Sequence, residues 1–149
     1  MIGKVLHIGL TVSDIEKSIK FYTEKLGLKL ENRMTMEGKN TEILFGKKNI
    51  QVEVAYLNGS KELNCPPIEL ICFSGNQTQK EKNDLQKTSI SEVCFYTDNI
   101  DLEYERLKEL GVEFISSPQS FTFDKTKSKA VYFKDPDGII LELIEIVTP

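Results

Sequence analysis

The chain lacks the features by which several classes of protein are recognised. No apolar run among its 149 residues is long enough to span a bilayer. The start, MIGKVLHIGL, has neither the long apolar stretch nor the small-residue cleavage site of a signal peptide. The chain also has no excess of positive charge. Its net charge is −4, and lysines and acidic residues are interspersed along it. We therefore expect neither a membrane protein nor a nucleic-acid-binding protein with a basic face.

Cysteine and histidine are scarce as well. The three cysteines are an odd number and form no CxxC pair. Two of them, Cys72 and Cys94, lie in apolar, strand-like runs, which predicts buried, reduced thiols in a cytoplasmic protein. The only histidine is His7, one residue into the predicted first strand. A lone histidine in a strand is more often a packed core residue than a ligand, so its role depends on its neighbours.

The chain contains an internal repeat. Its first copy opens with a β-rich stretch, VLHIGLTV, followed by a helix that Asp14 caps and Gly27 ends, and then by a strand from Leu28. The pattern returns in SEVCFYTDNIDLEYERLKELGVEFI, where Val93 to Thr97 is the strand. Asn99 or Asp98 is the cap of the second helix, and Gly111 ends it.

The later parts of the two copies match too. PPIELICF ends the first copy and GIILELIEI ends the second, each with a glutamate between apolar residues, Glu69 and Glu142. The first copy is the longer, and its extra residues fall within the segment 37–63, where only Gln51 to Leu57 is typical of a strand and Lys61 to Asn64 of a loop.

Each copy therefore has the order βαβββ, and neither could bury both faces of its sheet alone. We predict an α+β fold of two tandem βαβββ modules whose curved mixed sheets form a shared cleft. The modules are residues 1–75 and 90–149, and the polar segment 76–89 is the linker between them.

Four polar residues occupy equivalent places in the repeat. His7 aligns with Glu92 in the first strand, and Glu69 aligns with Glu142 in the last strand. Inside apolar strands, unpaired carboxylates are costly, and three of them facing one another would repel. If a pseudo-twofold axis relates the modules, all four converge, and a divalent metal would compensate the charge. Open coordination positions would then accept a substrate with two adjacent oxygens.

Two segments carry a family resemblance. DIEKSIKFYTEKLGLKL (residues 14–30) and YFKDPDGIILELIE (residues 132–145) resemble the vicinal-oxygen-chelate superfamily, which includes glyoxalase I, bleomycin-binding proteins, extradiol dioxygenases, thiol transferases and methylmalonyl-CoA epimerase. The resemblance covers nearly the whole chain and implies the glyoxalase/bleomycin-resistance fold. Pro136 and Gly138 permit the tight turn before the strand that carries Glu142.

By its site, the chain is most similar to glyoxalase I (lactoylglutathione lyase), whose ligands in chain order are His, Glu, His, Glu. This chain has His7, Glu69, Glu92 and Glu142, so the third position departs from the pattern. The epimerase pattern would need Gln at Glu69 as well, and the dioxygenases and thiol transferases fit poorly with one histidine. Glyoxalase I also has an arginine for glutathione where Thr11 stands, although Arg33 or linker lysines could replace it.

The resemblance implies one divalent metal ion (Ni, Co, Mn, Mg or Zn) held by His7, Glu69, Glu92 and Glu142. It implies a lyase or isomerase that shifts a proton through a metal-bound enediolate, with Glu142 as the base and Glu69 as its partner. Three carboxylates would favour hard ions such as Mn²⁺ or Mg²⁺ over Zn²⁺. The expected partner is a small-molecule substrate, and a homodimer is common in the superfamily.

Other interpretations stay open at this point. The chain could be a metal-free small-molecule-binding protein of the bleomycin-resistance type, or an epimerase of acyl thioesters. Glu69 and Glu142 could be paired with other side chains, and Glu92 could lie on the surface. Glu145 is expected to see solvent, and the run from Lys125 to Lys129 is expected to be a solvated loop unless it attracts an anionic substrate. Four aromatic residues could line a substrate pocket, although most of them are expected in the core: Phe121, Phe123, Tyr132 and Phe133.

Overall fold

The computed structural model describes residues 6–60, 67–75, 78, 81–86, 90, 92–123 and 126–147. It divides into two compact units, Met1–Lys80 and Glu81–Pro149. This division falls inside the segment 76–89, which the sequence indicates as a linker. In the described ranges, no helix has the length and the apolar character needed to cross a membrane.

Both units contain a sheet and a helix that joins the first strand to the second, as an α+β fold requires. The elements of the first unit are β1 (Ile8–Thr11), α1 (Ile15–Lys20) with a π-helical continuation (Phe21–Lys25), β2 (Lys29–Glu37), α2 (Lys39–Phe45), β3 (Gln51–Asn58) and β4 (Ile68–Phe73). Those of the second are β5 (Val93–Tyr96), α3 (Ile100–Glu109), β6 (Glu113–Phe114), β7 (Gln119–Phe123), β8 (Thr126–Lys134) and β9 (Ile140–Val147).

The two sheets have the same topology. The first has four strands in the order β1-β4-β3-β2, with β1 parallel to β4 and the other neighbours antiparallel. The second has the order β5-β9-β8-β6, with β5 parallel to β9 and with β7 also paired to β8. In each unit the last strand thus lies between the first strand and its hairpin partner. The predicted α+β class and mixed sheets are confirmed.

The first helix begins where the sequence predicts, but its last turn is a π-helix, which has a larger radius than an α-helix. Oδ1 of Asp14 accepts a hydrogen bond from the backbone N–H of Lys17 at 3.0 Å, which caps the helix. The N–H of Leu26 then bonds to the carbonyl of Phe21 at 3.3 Å, five residues back, as in a π-helix. Gly27 ends the segment with φ +74°, a conformation that glycine adopts without strain.

Helix α2 was not predicted from the sequence. It lies in the segment 37–63, and its seven residues are too few for a clear apolar period. The N–H of Asn49 donates to Oε1 of Glu42 at 2.7 Å and closes the loop that follows the helix. In the second unit, only residues 124–125 separate β7 from β8, so this insertion accounts for the greater length of the first. The predicted loop 61–64 lies outside the described residues.

The second strand of the second unit is broken into two pieces. Both β6 and β7 pair with β8, through Phe114 with Phe133 and through Gln119 with Ala130. The break between them contains Pro118, which has no N–H to donate to a strand ladder. With β6 and β7 counted as one interrupted strand, the second unit has the predicted order βαβββ.

Helix α3 has two hydrogen-bond acceptors at its start. Oδ1 of Asn99 accepts from the N–H of Leu102 at 3.0 Å, so Asn99 is the cap and not Asp98. Oε2 of Glu145, on β9, accepts from the N–H of Ile100 at 2.8 Å. The expectation that Glu145 simply sees solvent is therefore wrong, because the face of β9 opposite Glu142 is covered by this helix.

The DPDG turn between β8 and β9 is organised by Asp135, which is only 6% exposed. Its Oδ1 accepts hydrogen bonds from the N–H groups of Asp137 and Ile139, each at 2.8 Å. Gly138 has φ +84°, so the glycine that the sequence indicates for this turn is required by the backbone. The turn fixes the point at which β9 begins and hence the place of Glu142.

Most core side chains lie between each sheet and its helix. In the first unit these include Leu10, Leu57 and Leu70, and in the second Leu141 and Leu143. The opposite face of the first sheet is partly apolar as well, around Ile50, Val52 and Val54. Partly buried neighbours complete that cluster: Met36, Phe45, Tyr56, Ile71 and Phe73.

Candidate metal centre

Glu69 lies on β4 with a neighbour on either side. Its partner on β1 is Gly9, and its partner on β3 is Tyr56. Cross-strand partners face the same side of a sheet, so the three positions form one row. The Tyr56 hydroxyl donates to Oε1 of Glu69 at 2.8 Å, and Nε2 of His7 lies 3.0 Å from Oε2. Both oxygens of the carboxylate therefore have a partner.

His7 reaches Glu69 from just outside the sheet. The structure places it one residue before β1, with a side chain that is 35% exposed, so its predicted place inside a core strand is wrong. The strand begins at Ile8, whose N–H bonds to the carbonyl of Pro67 at 2.8 Å. His7 and Gly9 are two residues apart, which puts the imidazole on the face that carries Glu69.

Tyr56 is a site residue that the sequence reasoning missed. Its ring also meets the imidazole of His7 edge to face, with centroids 6.0 Å apart and an interplanar angle of 67°. Burial and the nearby Glu69 carboxylate raise the pKa of Tyr56, so its hydroxyl keeps its proton and stays a donor. Tyr132 occupies the equivalent place beside Glu142 in the second unit, an equivalence that only the strand register shows.

Glu142 has the equivalent environment in the second unit. On β9 it lies between Cys94 of β5 and Tyr132 of β8. Partial burial of the Cys94 thiol, its hydrogen bond to Glu142 and the negative charges of Glu142 and Glu92 raise the pKa of Cys94 to about 12. The thiol is therefore neutral at physiological pH and donates to the carboxylate.

Glu92 lies immediately before β5, as His7 lies immediately before β1. Its charge acts on the same groups as that of Glu142. Burial first, then Glu142 and Glu92, raise the pKa of Tyr132. Glu92, Cys94, Tyr132 and Glu142 are thus one electrostatically coupled set in the second unit.

The cysteines differ from the prediction of buried thiols. Cys94 is exposed as a residue although its thiol is partly desolvated, and Cys72 is half-buried. Neither of these two cysteines is in a disulfide bond, and Cys65 lies outside the described residues. Cys94 stands on the Glu142 face of the sheet, which explains its exposure, because the apolar stretch around it alternates between the two faces.

Other residues that the sequence suggests for substrate binding lie in ion pairs, in the core or on the surface. Arg33 contacts Glu16 and Glu53, each at 2.6 Å, on the helix-covered side of the first sheet. The predicted solvated loop that ends at Lys129 is wrong, because Thr126–Lys134 is strand β8 and Lys129 pairs with Asp101 at 2.5 Å. Phe133 is in the core as expected, whereas Phe121 is 58% exposed.

The four predicted ligands are thus found as two sets. His7 and Glu69 are in contact in the first unit, and Glu92 and Glu142 act on common neighbours in the second. Over the described ranges, no group of three or more His, Cys, Asp or Glu side chains is arranged to hold a metal. The donor chemistry nonetheless fits a divalent ion, because imidazole nitrogen and carboxylate oxygen are its usual ligands and Nε2 of His7 already adjoins Oε2 of Glu69.

The chain thus has two βαβββ units, each with a glutamate at the same place on its last strand, Glu69 and Glu142. The sequence matches the Glyoxalase/Bleomycin resistance protein/Dioxygenase superfamily over residues 4–143, so the chain belongs to this family. The membership that the sequence motifs predict is confirmed.

Three known proteins illustrate the range of similarity. The probable lactoylglutathione lyase of Vibrio parahaemolyticus is 30% identical over 143 residues, covering 96% of this chain and 91% of that protein. The metallothiol transferase FosB of Lysinibacillus sphaericus is 28% identical over 139 residues, covering 92% and 78%. A glyoxalase family protein from Bacillus cereus has a TM-score of 0.80 at 23% identity, covering 98% of this chain and 97% of that one.

The structural match confirms the predicted glyoxalase/bleomycin-resistance fold. The two sequence matches are nearly equal in identity, although one protein is named as a lyase and the other as a thiol transferase. Overall identity therefore does not separate these activities, and only the residues of the site can distinguish them.

Proposed function

We propose that this protein is a metal-dependent lyase or isomerase of the glyoxalase I type. Its substrate class is a small molecule with two adjacent oxygens, such as a hemithioacetal. The observation that carries the proposal is the contact between His7 and Glu69, which brings two of the four expected ligand positions together in the first unit. The equivalent position of Glu142 in the repeat supplies the second carboxylate.

We propose His7, Glu69, Glu92 and Glu142 as the residues that hold one divalent ion, namely Ni, Co, Mn, Mg or Zn. Their equivalence in the repeat supports a shared role. A metal bound there would act as a Lewis acid toward the two substrate oxygens.

Glu142 is the proposed base, which takes the proton from the carbon next to the carbonyl and returns it to the neighbouring carbon. Its environment suits that role, because its known hydrogen-bond donor, the Cys94 thiol, is a weak one that a moving carboxylate can leave at small cost. Glu69 is the opposite partner, and its two stronger contacts keep it in place.

The residues that would bind the thiol part of the substrate are less clear than the proposed metal ligands. Thr11 stands where glyoxalase I has an arginine for glutathione, and Arg33 is already paired with two carboxylates. These contacts favour a substrate whose recognition depends on its two oxygens more than on the charges of glutathione.

The test begins with metal content. The purified chain is exposed to Ni²⁺, Co²⁺, Mn²⁺ and Zn²⁺ separately, desalted and measured by elemental mass spectrometry, and hemithioacetal turnover is then assayed with each ion. We expect about one metal per chain, lost in His7→Ala, Glu69→Gln and Glu142→Gln. The matched control is Glu53→Gln, which makes the same substitution on the helix-covered side of β3.

Metal content also separates the alternatives. A metal-free chain that binds small apolar compounds would instead be a binding protein of the bleomycin-resistance type, which the glutamate at position 92 leaves open. A metal-loaded chain that does not turn over hemithioacetals would have another activity of the superfamily. It would be an epimerase if it epimerises an acyl thioester, and a thiol transferase if it transfers a thiol. A cytoplasmic location and a homodimer remain predictions that fit each of these functions.

A further inference from the structure

The Tyr56–Glu69 contact goes beyond the ligand pattern. Glu69 is 14% exposed in its side chain, and each of its two oxygens has a different partner. The tyrosine takes Oε1 and the histidine takes Oε2. A carboxylate held by both oxygens cannot rotate without breaking one contact.

The sheet itself fixes this arrangement. Tyr56 and Glu69 are direct partners in the antiparallel pair of β3 and β4, so their side chains start from a set distance. On the other side of Glu69, Gly9 has no side chain. A Cβ at Gly9 would lie 3.5 Å from Oε2 of Glu69 and 3.2 Å from Cδ1 of Ile71. A side chain at position 9 would therefore start in contact with the Glu69 carboxylate.

The second unit uses the same positions differently. Cys94 replaces Gly9, Tyr132 replaces Tyr56, and Glu142 replaces Glu69. There the thiol is the donor to the carboxylate, whereas the negative charge of Glu142 raises the pKa of Tyr132 with no hydrogen bond between the two side chains in the described part of the chain. A thiol is a weak donor and a phenol a strong one, so the two glutamates are restrained unequally.

We propose that Tyr56 is a positioning residue, which fixes Glu69 as a stationary metal ligand and leaves proton transfer to Glu142. The inference rests on the proposed function, since it assigns different roles to the two glutamates of that site. Groups that hydrogen-bond to metal ligands commonly change metal affinity by about 10- to 100-fold when removed.

The test is Tyr56→Phe, which removes the hydroxyl and keeps the ring that packs against His7 and against the apolar cluster of Ile50, Val52 and Val54. Its control is Tyr96→Phe, because the Tyr96 hydroxyl also donates to a carboxylate, Oδ1 of Asp98 at 2.7 Å, and Asp98 is not a proposed ligand. The full chain is titrated with Co²⁺ and with Mn²⁺, and the visible spectrum of bound Co²⁺ is recorded. Thermal unfolding of the metal-free proteins shows whether each variant is folded.

We expect Tyr56→Phe to weaken metal binding by about tenfold and to change the Co²⁺ spectrum. Tyr96→Phe should match the original chain in both. If Tyr56→Phe binds metal as Tyr96→Phe does, with the same spectrum, the positioning role is wrong while the proposed function stands. If the original chain binds neither ion, the proposed function is wrong and this inference is wrong with it.

Discussion

Cys94 and Glu142 face each other across the adjacent parallel strands β5 and β9, and the thiol donates a hydrogen bond to the carboxylate. The pairing makes Cys94 an unusual surface cysteine. It is exposed as a residue, yet partial burial of the thiol and the carboxylates beside it raise its pKa to about 12. We therefore expect this exposed cysteine to react slowly.

The first prediction concerns the reactivity of that thiol. Only the thiolate is nucleophilic, and at pH 8 a pKa of about 12 leaves roughly one thiol in ten thousand ionised, against about one in ten at the ordinary value of 9.0. In a chain carrying Cys65→Ser and Cys72→Ser, we expect Cys94 to react with iodoacetamide far more slowly than a free cysteine. The rate should rise as pH is raised toward 12.

A variant separates the causes of this shift. Glu142→Gln removes the main negative charge near the thiol but leaves the partial burial, which is the largest cause. The alkylation rate at pH 8 should then rise several-fold and still stay below that of free cysteine. Rapid alkylation of the unsubstituted Cys94 at pH 8 would contradict the assigned environment.

The second prediction concerns the hydrogen bond from Ile100 to Glu145. A carboxylate at a helix start satisfies an unpaired N–H and interacts favourably with the helix dipole. We expect Glu145→Ala to lower the free energy of unfolding by about 1–2 kcal/mol, and Glu145→Gln, which keeps an acceptor oxygen, by less. Urea unfolding measures both.

A suitable control for Glu145 is Glu105→Ala, which removes an exposed glutamate from the middle of α3. Its effect should stay within about 0.5 kcal/mol. Equal unfolding free energies for Glu145→Ala and the control would show that the bond from Ile100 adds nothing to stability.

The case of Glu145 shows what the sequence can and cannot predict. Alternation along β9 correctly places Glu145 on the face opposite Glu142, but alternation alone does not say what covers that face. The covering helix comes from another part of the chain, so its contact is tertiary. The same limit explains Tyr56, because its partner Glu69 is identified only once β3 and β4 are in register.

Local signals were more reliable than long-range ones. The caps at Asp14 and Asn99 and the glycine of the turn at Gly138 depend on a few adjacent residues, and all three are found. Helix α2 was missed because seven residues give too few turns for a period. The exact start of β1 was also missed, since it depends on the bond between Ile8 and Pro67.

The third prediction concerns Asp135 in the turn before β9. Its carboxylate accepts two backbone hydrogen bonds while almost fully buried, so Asp135→Ala leaves two donors without a partner. We expect a loss of about 3 kcal/mol in the free energy of unfolding, and about 1 kcal/mol for Asp135→Asn, which keeps Oδ1. Urea unfolding distinguishes the two. If both variants lose the same amount, charge and not hydrogen bonding explains the role of Asp135.

The last prediction concerns the glutamate at position 92, where the glyoxalase I pattern has histidine. If Glu92 is a ligand, three carboxylates and one imidazole favour hard ions, and Glu92→His should favour softer ones. We expect the ratio of Ni²⁺ to Mn²⁺ affinity to rise on the order of tenfold in Glu92→His, measured by competition with a chromophoric chelator. Glu105→His, which adds a histidine on the exposed side of α3, controls for nonspecific binding and should leave the ratio unchanged. An unchanged ratio in Glu92→His, with metal still bound, would remove Glu92 from the ligand set and leave His7, Glu69 and Glu142 as its members.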